Sequence, residues 1–232
     1  ALAITGYANQ ATVGDWGGTG VPSGGITIWN GSNTLQAKRD VRLTGVSMPA
    51  IGMYLTVQNA SGGGVISDSG DIVIRGLSNS AYSATYVRMA INATQGSVYI
   101  SGAALASGSA NGGIDQDFSN GSITANRDIT LIGYSASTTN GHGIRILGGS
   151  TITSLNGNVN FYGTSLTTTS GYYGIVSNRN VSAVNGSITF AASKLDTVST
   201  LTLAAANSSN GLPAPYFAIA DAGNMARSEE RR

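Results

Sequence analysis

The sequence predicts an all-β fold, a right-handed parallel β-helix (solenoid) of about seven coils, each roughly thirty residues long. Three observations predict it: a short alternating motif recurs along the chain, glycine closes most copies, and turn-forming residues precede them. In such a solenoid every coil hydrogen-bonds to its neighbours, so equivalent side chains stack along the axis. Because of this stacking, each coil must repeat the pattern of apolar, polar and turn residues, although the individual residues can differ.

The recurring motif alternates an apolar with a polar residue, which is typical of a strand with one buried face. The steps from the start of one copy to the next are 39, 31, 26, 31, 30 and 29. The long first step predicts a loop inserted at about residues 10–25. The copies start at Leu2, Val41, Ile72, Val98, Ile129, Val159 and Ile188.

Glycine occupies the last position of most motifs, at Gly45, Gly76, Gly102, Gly133 and Gly163, whereas Ala192 ends the last copy. A fixed glycine in a strand indicates either a positive φ or a close approach of another backbone segment. The residues before the motifs, such as "NRD", "NGN" and "NGS", are typical of tight turns. Each strand is therefore predicted to follow a turn.

Two further apolar columns complete each unit. Ile123, Ile152 and Val181 recur at equal steps of one unit, and Ile144 and Ile175 are also separated by one unit. Each unit therefore contains three short strands, and no segment shows the 3.6-residue period of a helix. An antiparallel sandwich or barrel with Asn-Gly turns is the alternative fold. The regular recurrence of a three-strand unit favours the solenoid.

Two regions are predicted along the chain. Residues 1–210 form the β-helix, and residues 211–232 form a cap or linker with a charged tail, "ARSEERR". Only 10% of residues are charged, the net charge is +1, and cysteine is absent. This balance gives no reason to expect a nucleic-acid partner, and no apolar run is long enough to span a bilayer. No phosphate-binding or dinucleotide motif is found, so no cofactor is predicted.

Acidic residues at one register position raise the possibility of an enzyme. Asp40, Asp71 and Asp128 each stand directly before a strand motif, as the acids of polysaccharide-cleaving β-helix enzymes stand on adjacent coils. Stacked carboxylates of this kind bind a cation or share a proton. The interpretation we favour is structural: each Asp makes a turn onto its own backbone, with Arg39 and Arg127 relieving the charge. No catalytic residue is therefore predicted.

The remaining candidates for chemistry are few. His142, the single histidine, lies between glycines and is interpreted as a turn residue. The segment "DQDFSNG" resembles part of an acidic calcium loop, which makes Asp115 and Asp117 the metal candidates. It lacks the bidentate glutamate of such a loop. We therefore predict no metal site.

Aromatic residues near predicted turns are the candidates for ligand contact. They are Trp16 in the inserted loop, Trp29 after a strand, Tyr134 after its closing glycine, and the pair Tyr172 and Tyr173. Exposed aromatic rings stack on the sugar rings of glycans. The alternative is that these rings cap the core or pack on one another.

Residues 121–193 resemble the repeat region of filamentous haemagglutinin-like exoproteins, the adhesins and toxin-delivery stalks that Gram-negative bacteria export by two-partner secretion. The resemblance is looser over residues 26–120. It implies a secreted or cell-surface rod that supports adhesion to host or matrix glycans or proteins, with an outer-membrane transporter as partner during export. The family's Asn-Pro-Asn secretion motif is absent, so the resemblance implies an internal or distal segment. A polysaccharide-cleaving enzyme and a passive spacer are the alternatives.

Overall fold

A computed structural model of the chain describes residues 1–8, 24–28, 34–48, 51–56, 63–79, 82–106, 112–117, 121–147, 151–167, 169, 172–177, 179–192, 195–197, 203–205 and 216–219. These residues form 22 β-strands and contain no helix. In chain order the strands are β1 (Leu2–Ala8), β2 (Gly24–Ile28), β3 (Thr34–Ala37), β4 (Val41–Ser47), β5 (Ile51–Thr56), β6 (Gly64–Ser67), β7 (Ile72–Ser78), β8 (Thr85–Arg88), β9 (Ala90–Ala93), β10 (Val98–Ala104), β11 (Ile114–Asp117), β12 (Ile123–Ala125), β13 (Ile129–Ser135), β14 (Ile144–Leu147), β15 (Thr151–Ser154), β16 (Val159–Ser165), β17 (Ile175–Ser177), β18 (Asn180–Ala183), β19 (Ile188–Ala192), β20 (Leu195–Thr197), β21 (Leu203–Ala205) and β22 (Tyr216–Ile219).

The strands form three parallel sheets. Sheet 1 has the order β1-β4-β7-β10-β13-β16-β19-β22, sheet 2 the order β2-β5-β8-β11-β14-β17-β20, and sheet 3 the order β21-β18-β15-β12-β9-β6-β3. Each coil contributes one strand to sheet 2, one to sheet 3 and one to sheet 1, in that order along the chain. The predicted parallel β-solenoid is confirmed, and the antiparallel alternative is wrong. The right-handed sense of the winding stays a prediction.

The seven strand motifs recognised in the sequence are seven of the eight strands of sheet 1, β1 to β19, and the strands of this sheet stack in register. Val98, for example, pairs with Ile72 on one side and with Ile129 on the other. The last of these strands, β22, lies in the segment predicted as a cap or linker and pairs in parallel with β19. Sheet 1 therefore extends into the region after residue 210.

The glycine column of sheet 1 results from a close backbone approach. Gly102, Gly133 and Gly163 pair with one another, and none has a left-handed φ. A Cβ added to Gly133 would collide with the carbonyl oxygen of Gly143, and one added to Gly163 with that of Gly174. Gly143 and Gly174 each precede a strand of sheet 2. At Gly133 and Gly163, sheets 1 and 2 thus meet so closely that no side chain fits between them, whereas Ala192 occupies the same position in β19.

The core lies between the three sheets and is built from stacked aliphatic side chains. In sheet 1, Leu131 of β13 pairs with Phe161 of β16, which pairs with Phe190 of β19, and all three are fully buried. The rings of Phe161 and Phe190 are parallel, with centroids 4.5 Å apart. Equivalent positions therefore form continuous columns along the axis, as the sequence pattern predicts.

The lengths of the turns from sheet 3 to sheet 1 follow a three-coil period between β3 and β19, which does not continue to β22, because ten residues separate β21 from β22. Residues 38–40 and 126–128 form turns of three residues, whereas the turns of the two coils after each contain four. A buried serine ends the sheet 3 strand in the coil that follows each short turn. The Oγ of Ser67 donates to the carbonyl of Arg39 (2.9 Å) and that of Ser154 to the carbonyl of Arg127 (2.7 Å). Ser67 and Ser154 stand three coils apart, so the same turn arrangement occurs twice between β3 and β19.

Candidate functional site

The outer surface of sheet 1 is the broadest regular surface that the described residues form. Its strands alternate buried and partly exposed positions, so every second side chain points outward. None of the outward positions from β1 to β19 carries Asp or Glu. We call this surface the open face. Its residues are Ala3, Thr5, Tyr7, Arg42, Thr44, Val46, Val73, Arg75, Leu77, Tyr99, Ser101, Ala103, Thr130, Ile132, Tyr134, Asn160, Tyr162, Thr164 and Thr189.

Apolar side chains are concentrated along one edge of the open face, where the strands of sheet 1 end. Met48, Leu105 and Leu166 each follow a buried last residue of a strand and are 47%, 45% and 49% exposed. Within the strands, Val46 and Leu77 stand at the outward position nearest this edge and pair in register. Asn79 and Ala136 occupy the same position after the strands between them, so the large apolar side chains of this edge stand on every second coil.

The open face also contains four tyrosines. Tyr134 is the predicted candidate, whereas Tyr7, which is 76% exposed, Tyr99 and Tyr162 were not predicted. Strict alternation within each motif is the signal that would have found them, because it places all three residues outward. The Arg75 guanidinium carbon lies 5.7 Å from the centroid of the Tyr99 ring, so a cation–π contact holds this ring in place.

The other two predicted tyrosines lie elsewhere, beside the single histidine. Tyr172 and Tyr173 precede β17, and His142 precedes β14 of the coil before. The His142 ring centroid is 5.2 Å from that of Tyr172 and 6.4 Å from that of Tyr173, and all three side chains are half-buried. The backbone N–H of Tyr173 donates to Nδ1 of His142 (3.2 Å). These aromatics pack together, as the alternative interpretation holds. Trp16 and Trp29 lie outside the described residues.

Asp40 and Asp71 stack in register on adjacent coils, whereas Asp128 lies between Ser97 and Asn158, and the predicted role of these acids as turn residues needs correction. The backbone N–H of Asp71 donates to Oδ1 of Asp40 (3.1 Å), and that of Ser97 donates to Oδ1 of Asp71 (2.8 Å). Asn158 donates in the same way to Asp128 (2.7 Å). Each carboxylate therefore caps the next coil and not its own backbone, because parallel stacking brings the equivalent N–H within reach. This use of the acids supports a structural interpretation.

The basic partner of Asp40 is also different from the one expected. Arg42 donates from Nη2 to Oδ2 of Asp40 (3.0 Å), whereas Arg39 was predicted to relieve the charge. Arg42 stands two residues after Asp40 and so points to the same side of the strand. This guanidinium, together with the N–H of Asp71, holds the pKa of Asp40 below its ordinary value of 3.8.

Arg42→Ala is expected to raise the pKa of Asp40 towards 3.8, because the largest cause of the lowered pKa is removed. Since the folded-state pKa is the lower one, the contribution of the pair to stability is present above pH 3.8 and is lost as the pH falls through the folded value. A carboxyl NMR titration of the two proteins measures this change. Arg39→Ala is the matched control. An equal rise in that variant would contradict the assignment to Arg42.

Asp115, one of the metal candidates, is held by an ion pair. It is 2% exposed and pairs in register with Arg145 of the next coil. Arg145 donates from Nε to Oδ1 (3.1 Å) and from Nη2 to Oδ2 (2.6 Å), and the Oγ of Ser83 lies 3.3 Å from Oδ2. A cation at these oxygens would meet the guanidinium. The side chain of Asp117 lies outside the described part, within which no group of three or more His, Asp or Glu side chains is suited to hold a metal ion.

A buried arginine joins three coils at the corner between sheets 2 and 3. Arg179 is 1% exposed, and its Nε and Nη2 donate to the carbonyl of Leu147 (3.1 and 3.0 Å). Its Nη1 donates to the carbonyl of Gly121 (3.1 Å), which also accepts from Nε2 of Gln116 (2.7 Å). Sequence analysis missed this residue because a charged side chain beside a strand is ordinarily exposed. Its role is to satisfy backbone carbonyls inside the corner.

The fold and these contacts define a parallel β-solenoid protein with one broad open face, whose outward strand positions carry no acid, although Asp40, Asp71 and Asp128 stand directly before its strands. Comparisons with protein-family models, with curated proteins and with solved structures find no match for this chain. Among the residues described above, no helix has the length and apolar character needed to cross a membrane.

Proposed function

We propose that the chain is a segment of a secreted or cell-surface bacterial adhesin, a rigid β-solenoid rod that presents the open face to a glycan or protein ligand. The observation that carries this proposal is the open face itself. It combines four tyrosines, exposed apolar side chains near one edge and the absence of Asp and Glu from the outward positions of the sheet 1 strands β1 to β19.

Rigidity supports this role. Every strand of sheet 1 between β1 and β22 is bonded on both sides, and the inward apolar side chains of β4 to β16 are buried. The outward side chains are therefore fixed by the register before any ligand arrives. A preorganised surface loses little conformational entropy on binding, which favours affinity.

The chemistry of the face supports a glycan or protein ligand. Tyr134 and Tyr162 stand on adjacent strands, on residues offset by two positions, as Ile132 pairs with Tyr162. Thr130, Thr164 and other hydroxyl side chains flank these rings. Rings provide stacking area and hydroxyls provide hydrogen bonds, the combination that sugar rings and peptide surfaces require.

The proposed family and export route rest on the resemblance of residues 121–193 to filamentous haemagglutinin-like exoproteins. The route is export by two-partner secretion through an outer-membrane transporter. The parallel solenoid supports this assignment because that repeat region is expected to have the same architecture. Detection of a transporter-dependent export of the full-length protein tests it separately from ligand binding.

Tyr134→Ala and Tyr162→Ala are each expected to weaken ligand binding about two- to tenfold, because each removes one ring from the contact surface. The ligand is first sought by applying the purified chain to a glycan array and to immobilised matrix proteins. Affinities of the variants are then measured for whatever binds.

Thr153→Ala is the control, since Thr153 points outward from sheet 3 and lies far from the open face in the coil. Equal affinities of all variants would show that binding uses another surface. Absence of any ligand would favour a passive spacer, and release of reducing ends from a polysaccharide would favour an enzyme.

A further inference from the structure

His142 links three successive coils. Its backbone carbonyl accepts the N–H of Gly113 in the coil before (3.1 Å). Its Nδ1 accepts the backbone N–H of Tyr173 in the coil after (3.2 Å). In the same stretch the N–H of Gly143 donates to the carbonyl of Tyr173 (3.1 Å). The imidazole therefore serves as one acceptor in a ladder otherwise made by backbone carbonyls.

This hydrogen bond requires one protonation state of the ring. A neutral imidazole with its proton on Nε2 offers a lone pair at Nδ1, whereas the imidazolium carries N–H groups at both nitrogens. Protonation would place the N–H of Nδ1 against the N–H of Tyr173. Because two donors then face each other, the bond is lost and the two groups repel.

We propose that His142 is a pH-sensitive clasp, which fastens Tyr172 and Tyr173 to the preceding coil when it is neutral and releases them when it is protonated. Imidazole titrates between about pH 5 and 8, so the clasp operates under mildly acidic conditions. This inference is independent of the proposed adhesion and of the open face.

The neighbouring groups leave the imidazole as the group that titrates in this range. The phenols of Tyr172 and Tyr173 face it directly. On the strands packed beside it, Asp115 and Arg145 bind each other, so the pair presents no net charge. The remaining titratable side chains on β13 and β16 are the phenols Tyr134 and Tyr162.

The release is local in its structural effect. Gly143 and Ile144 keep their backbone bonds to the carbonyls of Tyr173 and Gly174, and neither depends on the ring. Acidification therefore loosens the Tyr172–Tyr173 segment and exposes its rings without unwinding the solenoid. The packed core between the three sheets is retained.

The test is hydrogen exchange of the Tyr173 amide in the whole chain, expressed as a protection factor so that intrinsic exchange chemistry cancels. In the native protein we expect protection to fall about three- to tenfold between pH 7.5 and pH 5.0, the loss of one hydrogen bond. In His142→Asn, whose side-chain oxygen accepts near the position of Nδ1 but does not titrate, we expect no such fall. The amide of Val98, in another coil, is the internal control.

An equal fall in both proteins would overturn the clasp, because the pH effect would then not require the imidazole. If the variant does not fold, imidazole nitrogen NMR of the native chain decides. The proposal requires an unprotonated Nδ1 at pH 7.5, whose protonation coincides with a shift of the Tyr173 amide. A protonated Nδ1 at pH 7.5, or a Tyr173 amide that does not respond, would refute it.

Discussion

Phe161→Ala is expected to lower the free energy of unfolding by about 3–5 kcal/mol, the usual cost of removing a large buried ring. Phe161 is fully buried, pairs with Leu131 and Phe190 on either side, and stacks on the Phe190 ring at 4.5 Å. The void would lie inside a stack of coils bonded on both sides, so the backbone cannot collapse freely into it. Urea denaturation of the two proteins measures the difference.

Tyr162→Ala is the matched control, because Tyr162 is the next residue of the same strand and points outward. Removal of its ring is expected to change the free energy of unfolding by no more than about 0.5 kcal/mol. Similar losses in both variants would mean that the alternation of β16 does not separate core from surface. The predicted register of sheet 1 would then be wrong.

Gly133→Ala is expected to destabilise the protein by about 1–3 kcal/mol, with the larger effect for Gly133→Val. The added Cβ would collide with the backbone carbonyl oxygen of Gly143 and contact the Ile144 side chain. A backbone oxygen cannot rotate away, so the two sheets must separate at this corner. The sign of this change in stability is informative. In an ordinary strand, replacing glycine by alanine stabilises the protein by about 0.5–1 kcal/mol.

Thr130→Ala provides the control on the same strand at an outward position. Thermal or urea denaturation of the native chain and of the Gly133→Ala, Gly133→Val and Thr130→Ala variants ranks them by stability. A Gly133→Ala protein more stable than the native chain would contradict the close contact between sheets 1 and 2. It would leave the glycine column without the reason that we assign to it.

Much of the fold was predictable because stacked coils repeat their constraints. The alternating motifs identified the strands of sheet 1, and the spacing of Ile123, Ile152 and Val181 identified sheet 3. A spacing of one coil also separates Asp115 from Arg145, so their ion pair follows from the register once the coil length is known. Local periodicity is enough to predict contacts of this kind.

The candidate site was only partly predictable, for two physical reasons. Tyr172 and His142 meet because two connections outside the strands have particular conformations, and no strand periodicity governs those. Arg179 is buried because carbonyls of two earlier coils converge at its corner, which depends on the shape of the turn. Tyr99 and Tyr162, in contrast, obey the alternation and were open to prediction.

The three-coil period of the turns determines how such a chain can change its length. Duplication or deletion of three whole coils, the separation of Ser67 and Ser154, returns each serine to the arginine carbonyl that it needs. Loss of a single coil would instead place a three-residue turn beside a sheet 3 strand that does not end in this serine. Between β3 and β19, we therefore expect gain or loss of three coils to preserve these serine contacts better than gain or loss of one.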